Sequence, residues 1–238
     1  MDISLIESFI STFYGYGNPR GKYWLIGMEE GGGNSREEVF RRFEIWQELG
    51  EGETCDLVEY HELLGMSYYF QEPVKYQRTW GHLIRLILAS QGKPTDTPSV
   101  KRYQRDRLGR LGDETCSLEL LPLSSPSLGS WHYGEWTGIS YLQSRKQYRD
   151  ICLPKRIRGL QCMIARYHPP MVVFYGTTYR PYYEQVIGSS FHSGQDGLEM
   201  SVKNQTRFCL VKHPAAWGDG ANAGYFEQVG RIIANNLP

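Results

Sequence analysis

Tyr23-Trp24-Leu25-Ile26-Gly27-Met28-Glu29-Glu30-Gly31-Gly32-Gly33 is a short apolar run that stops at two carboxylates and three glycines. Apolar and aromatic residues bounded by turn formers read as a strand buried on both faces, as in a parallel sheet. Glycine is entropically costly and packs nothing, so three in a row at a strand end fit either close approach of a ligand or a tight turn into a helix. The run lacks the lysine and hydroxyl residue of a phosphate-binding loop.

The pattern extends in both directions. Ile3, Leu5, Ile6, Phe9, Ile10 and Phe13 recur at helical spacing over residues 2–13, and a turn cluster at Gly15-Tyr16-Gly17-Asn18-Pro19 follows. Ser35 caps a helix over 36–49 that turns Val39, Phe40, Phe43 and Trp46 to one side, and residues 76–91 repeat the pattern up to Gly92. Further strands are expected at Leu118–Leu121, Met171–Gly176 and Arg207–Val211, with helices at Tyr179–Ile187 and Gly224–Asn235. Residues 93–115 read as a long irregular stretch, which in a compact domain points to a functional loop. Strands alternating with helices predict a three-layer α/β/α domain over 1–238 with a mainly parallel, four-stranded central sheet.

In such a sheet ligands bind beyond the carboxyl ends of the strands. That rule gathers Glu29 and Glu30, the Pro122–Ser127 loop, Gly176-Thr177-Thr178-Tyr179, and Lys212-His213-Pro214-Ala215-Ala216-Trp217. A carboxylate and a histidine facing one pocket supply a base and an electrostatic partner, although a histidine at a strand end also serves structure alone.

These four strand ends, in this order, resemble the uracil-DNA glycosylase superfamily. The likeness rests on GMEEGGG, SLELLPLSSPS, VVFYGTTYRPYYEQV and VKHPAAWG, and spans most of the chain. It implies a uracil-DNA glycosylase-like fold and an enzyme that flips a nucleotide out of DNA and hydrolyses its N-glycosidic bond, with no metal or other cofactor. It implies that Glu29, or else Glu30, orients water and stabilises the positive sugar, and that His213 stabilises the departing base. By position Glu29 matches the family's acidic or amide residue and Glu30 its proline. Gly27, Met28, Gly31, Gly32 and Glu119 would surround the base. Phe40, Trp46, Tyr68, Tyr69 and Phe70 are candidates to stack on it. Ser124, Ser125, Ser127, Thr177, Lys212, Arg102 and Arg105 would meet phosphates.

Two departures shape the expected substrate. The strict uracil enzymes of the family carry a tyrosine against the base's C5 position, where this chain has Gly31, Gly32 and Gly33, so the pocket is expected to be open there. Glu119 stands where the family reads the base with asparagine. An ionised carboxylate there accepts from cytosine N4 and repels uracil O4, whereas on a strand edge it would point away from the pocket. The expected substrate is therefore a 5-modified pyrimidine, such as a bulky modified cytosine of phage DNA, in repair or in antiviral defence. The rival readings are a hydrolase in which Glu29, Glu30 and His213 hold a divalent metal, and a catalytically silent DNA-binding protein.

Composition sets the outer bounds. With 238 residues, 40% of them hydrophobic, the chain can bury a substantial core. No apolar run is long enough to span a membrane and the N-terminus has no basic leader ahead of an apolar segment, so a cytoplasmic monomer is expected. The five cysteines form no C-x-x-C pair, and Cys209 reads as a core residue. Net charge is zero, so attraction to nucleic acid has to come from local basic segments. Residues 101–110 and 145–158 are two such segments, each equally consistent with a solvated helix face and loop.

Overall fold

The computed structural model describes residues 2–127, 129–194, 197–216 and 220–236. A mixed sheet of eight strands runs through it in the order β3-β1-β4-β2-β5-β8-β7-β6. Its centre consists of β4 (Thr115–Leu121), β2 (Tyr23–Glu29), β5 (Met171–Tyr175) and β8 (Thr206–Val211), mutually parallel. These are the expected strands. The expectation of a four-stranded sheet is nevertheless corrected, because antiparallel and short strands extend it on both sides.

On one side β1 (Gly15–Gly17) runs antiparallel to β4 and parallel to the two-residue β3 (Thr54–Cys55). The segment read as a turn cluster thus contains a short strand held between β3 and β4, with the positive φ of +146° at Gly15 confining that position to glycine. On the other side β7 (Glu199–Lys203) pairs antiparallel with β8, and β6 (His192–Ser193) follows. β7 does alternate, with Met200 and Val202 between polar residues, but Val202 is exposed and Ser201 is buried, so the alternation does not mark a face turned to the core.

The alternation of side chains along β2 places helices on both faces. The Tyr23 hydroxyl lies 3.0 Å from Ser90 Oγ at the end of α4 (Arg78–Ser90), whereas Trp24 turns the other way to Tyr167 of α7 (Arg145–Tyr167). α4 packs with α5 (Thr97–Asp106) and α9 (Ala223–Asn236). α7 packs with α1 (Ile3–Thr12) and α8 (Arg180–Ile187), and α1 with α2 (Arg36–Glu48), which in turn meets α3 (Leu57–Leu63). Gly230 lets α9 approach closely, since a Cβ there would fall 2.3 Å from the Leu86 carbonyl oxygen. A short helix, α6 (Tyr133–Thr137), follows the β4 loop.

The stretch expected to be irregular contains α5. Asp96 caps it by accepting from the Ser99 amide at 2.9 Å, and Pro98 occupies its first turn. Among the described residues no helix is long and apolar enough to cross a membrane. Cys55, Cys116, Cys152 and Cys209 are buried thiols and Cys162 is exposed.

Register positions the functional end of the sheet. Tyr23–Ile26 lie level with Met171–Phe174 on one side and with Thr115–Leu118 on the other, which sets Gly27 beside Glu119 and Glu29 beside Leu121. The residues that follow β2, β4, β5 and β8 therefore emerge at one edge.

Candidate functional site

A cavity of about 760 Å³ opens at that edge. Among the residues expected from the sequence it brings together Met28, Glu29, Glu30, Gly31, Gly32, Tyr68, Tyr69, Glu119, Ser125, Ser127 and His213, with Pro126, Gly176, Thr178, Tyr179 and Ala215 of the strand-end set. Their surroundings give three acidic groups three different characters.

Glu29 ends β2 with its side chain 11% exposed, ion-paired to Arg145 at the start of α7. Burial raises its pKa above the ordinary carboxylate value, and the charge and hydrogen bond of Arg145 oppose that rise. Arg145 also donates to Ser125 Oγ at 2.6 Å and to the Ser127 and Ser130 carbonyls at 2.9 and 3.1 Å. One guanidinium thus ties the first-strand carboxylate to the loop after β4.

Glu30 is pinned. Its Oε2 accepts from the Tyr16 hydroxyl at 3.0 Å and from Arg42 at 3.1 Å. His61 donates Nδ1–H to the Leu57 carbonyl at 2.8 Å and holds Nε2 3.7 Å from Glu30 Oε1. Burial disfavours the ionised carboxylate, but Arg42 foremost, with His61 and Tyr16, brings its pKa down to about 2. A carboxylate so engaged is an anchor.

Glu119 has the opposite character. Its Oε1 accepts from Tyr175 Oη at 2.6 Å, and its buried Oε2 has no hydrogen-bond partner among the described residues. Burial pushes its pKa up to about 8; the tyrosine hydrogen bond opposes this, and the charges of Glu30 and Glu29 add to it. At neutral pH the group is therefore mostly a carboxylic acid, a donor as well as an acceptor. The reading of Glu119 as an ionised base-reader takes it to be charged, whereas its burial favours the neutral form.

His213 follows β8, its ring edge-on to Tyr175 at 5.7 Å. Nδ1 accepts the Ala215 amide at 3.2 Å, so in the neutral ring the proton sits on Nε2. Trp217, in the same strand-end set, lies outside the described residues.

The remaining sequence-derived residues lie elsewhere. Gly27 stands just below the cavity against Glu119 and Tyr175. Phe40 is half-buried on α2 with the Arg36 guanidinium 4.9 Å above its ring, and Trp46 is core, donating to the Gly52 carbonyl at 2.9 Å. Phe70 is buried against Trp80, which leaves Tyr68 and Tyr69, joined by Trp80, as the aromatic wall. Ser124 is 3% exposed, too enclosed to meet a phosphate, and Thr177 is exposed outside the cavity. Lys212 holds its ammonium 5.2 Å from the Tyr225 ring.

The basic segment at 101–110 is largely neutralised. Arg105 pairs with Glu72 and Asp106, Arg107 with Asp113 and Glu114, and Arg110 with Asp56. Arg102 is exposed on α5, outside the cavity.

Sequence reading placed Arg145 only in a basic segment, and it missed Arg42, His61, Tyr16, Tyr175 and Trp80 as site residues. Arg42 did leave a signal, since it falls three residues after Val39 on the apolar side of α2, where a charge needs a partner. The others lie far along the chain from the groups they serve.

No protein-family model matches the chain, and no curated protein matches it in sequence. The site therefore has to be read from its own geometry. Among the described residues no cluster of three or more His, Cys, Asp or Glu side chains could hold a metal ion, and Glu29, Glu30 and His213 are not gathered as such a set. The cavity presents a basic carboxylate, a neutral acid and an imidazole to one space.

Proposed function

We propose that this protein is a monofunctional DNA glycosylase of the uracil-DNA glycosylase-like type, hydrolysing the N-glycosidic bond of a pyrimidine nucleotide flipped out of DNA. One observation carries the reading: Glu29, Glu119 and His213, from three strand ends, face a single cavity with three distinct proton-handling characters. The parallel order of β4, β2, β5 and β8 supports it, because it brings the four motifs of the resemblance to one edge.

In this mechanism the base enters between Glu119 and His213. As the glycosidic bond lengthens, positive charge grows on the sugar and negative charge on the base. Glu29 stabilises the sugar and accepts a proton from the attacking water. His213 Nε2–H donates to the base as it leaves. Glu119, held by Tyr175, reads the base edge, and Glu30 organises the floor through Arg42 and Tyr16.

The substrate we favour carries a bulky group at C5, as in a modified cytosine of phage DNA. A Cβ at Gly31 would meet nothing within 4 Å, so the glycine turn leaves space. Even at a generous ~30 Å³ per non-hydrogen atom, an eight-atom pyrimidine takes about 240 Å³. The cavity of about 760 Å³ has room for the sugar and a substituent besides. From Glu30 its wall runs through His61 to Trp80, with ring centroids 5.5 Å apart, and on to Tyr69 at 5.3 Å. Such a wall suits a ring-sized substituent. A monomer acting on DNA, in repair or in defence against foreign DNA, completes the proposal.

Chromatography of the bases released from duplexes with uracil, thymine mispairs or 5-substituted cytosines tests it. Free base and an abasic site from the substituted DNA are expected. Release of uracil alone would overturn the substrate, and release from no DNA, phage DNA included, would overturn the activity.

A further inference from the structure

The second basic segment of the sequence keeps an excess of cations beside the cavity, even with Arg145 paired to Glu29 and Lys146 to Asp150. Arg145, Lys146 and Arg149 open α7 and line a groove of about 610 Å³ against α8, with Asp150 as the one carboxylate among the described residues that line it. Lys146 pairs with Asp150 at 2.6 Å, but both side chains are well exposed, at 85% and 59%, so water and salt weaken that pair. Arg149 donates to the Tyr182 hydroxyl at 2.9 Å, its guanidinium 5.5 Å from the same ring. Leu153, Pro154 and Ile157 form an apolar floor. Cations above an apolar floor with an aromatic edge suit a sugar-phosphate chain, whose charges lie at its margin and whose sugars are partly apolar.

The groove joins the cavity through a shared residue. Arg145 lines the groove, pairs with Glu29 and holds Ser125, while Ser125 and Ser127 line the cavity. A strand whose flipped nucleotide sits against Glu29 can continue past Arg145 without crossing a barrier of like charge.

We propose that the groove between α7 and α8 is the track for the phosphodiester backbone flanking the flipped nucleotide, with Lys146 and Arg149 contacting its phosphates. The identity of the occupant as DNA rests on the glycosylase reading; the track can fail independently of it.

Equilibrium binding of a fluorescent 20-mer single strand and duplex across a salt series tests the track. In the double variant Lys146→Ala, Arg149→Ala, Kd should rise by about tenfold, and the slope of log affinity against log salt should shrink by nearly two, as expected for two lost phosphate contacts. The charge-retaining Lys146→Arg, Arg149→Lys protein should restore the slope. Arg166→Ala, at the far end of α7 and roughly 30 Å away at 1.5 Å rise per residue, should leave both unchanged. An unchanged slope in the double variant, an equal loss in Arg166→Ala, or a wild type that binds neither DNA would overturn the track. Failure of the glycosylase reading looks different: the wild type binds with the expected salt slope but yields no abasic site.

Discussion

Tyr175 Oη donates to Glu119 Oε1 at 2.6 Å, and the two meet only because residue 27 has no side chain. A Cβ at Gly27 would lie 2.3 Å from Tyr175 Oη and 2.4 Å from Glu119 Oε2. Gly27→Ala should therefore part the pair, costing about 1–3 kcal/mol as overpacking does and lowering excision at least tenfold. Thermal melting and single-turnover excision read the two effects.

The same pair gives a pH signature. Glu119 titrates near 8 in the fold and near 4.5 when unfolded, so between those values the folded state holds the extra proton. Stability should fall as pH rises through that window, by at most about 1.4 kcal/mol per unit. Glu30, held down to about 2, acts in the opposite sense and in a separate window, its contribution fading as pH drops from 4.5 towards 2. Denaturant titrations of wild type and Glu119→Gln from pH 5 to 9 should differ in slope; parallel curves would contradict the assignment.

The adjacent glutamates should separate by phenotype. Glu30→Gln leaves the buried Arg42 with Glu38 as its one remaining ion-pair partner, so a loss of about 1–3 kcal/mol in stability is expected. Glu29→Gln should melt close to wild type and abolish excision. Melting curves and released base together distinguish the roles.

On the proposed function, Gly31 leaves room beside the base. Gly31→Phe should cut excision of a bulky 5-substituted pyrimidine at least tenfold relative to uracil, since the ring would fill space that is now empty. Equal effects on both substrates would remove the glycine turn from the account of specificity.

The parallel centre was legible because Tyr23–Ile26 and Met171–Phe174 are apolar on both faces, a pattern few other elements produce. The flanks were not: Gly15–Gly17 is three residues long with two glycines, and Glu199–Lys203 buries Ser201 while exposing Val202. Glu29, Glu119 and His213 could be found by placing them at strand ends. The partners that set their chemistry could not, because Arg145 stands 116 residues from Glu29 and Tyr175 stands 56 from Glu119. Only the fold closes such distances. Residues 101–110 carry the converse lesson, since their arginines read as a basic patch until Glu72, Asp113, Glu114 and Asp56 arrive beside them.

In the proposed mechanism Glu29 activates water against a glycosidic bond. Wild-type and Glu29→Gln proteins incubated with DNA containing 5-substituted cytosine, then treated with alkali, test it most directly. Strand cleavage at the modified base is expected with wild type and none above background with Glu29→Gln. Intact strands with wild type, or equal cleavage by both proteins, would contradict it.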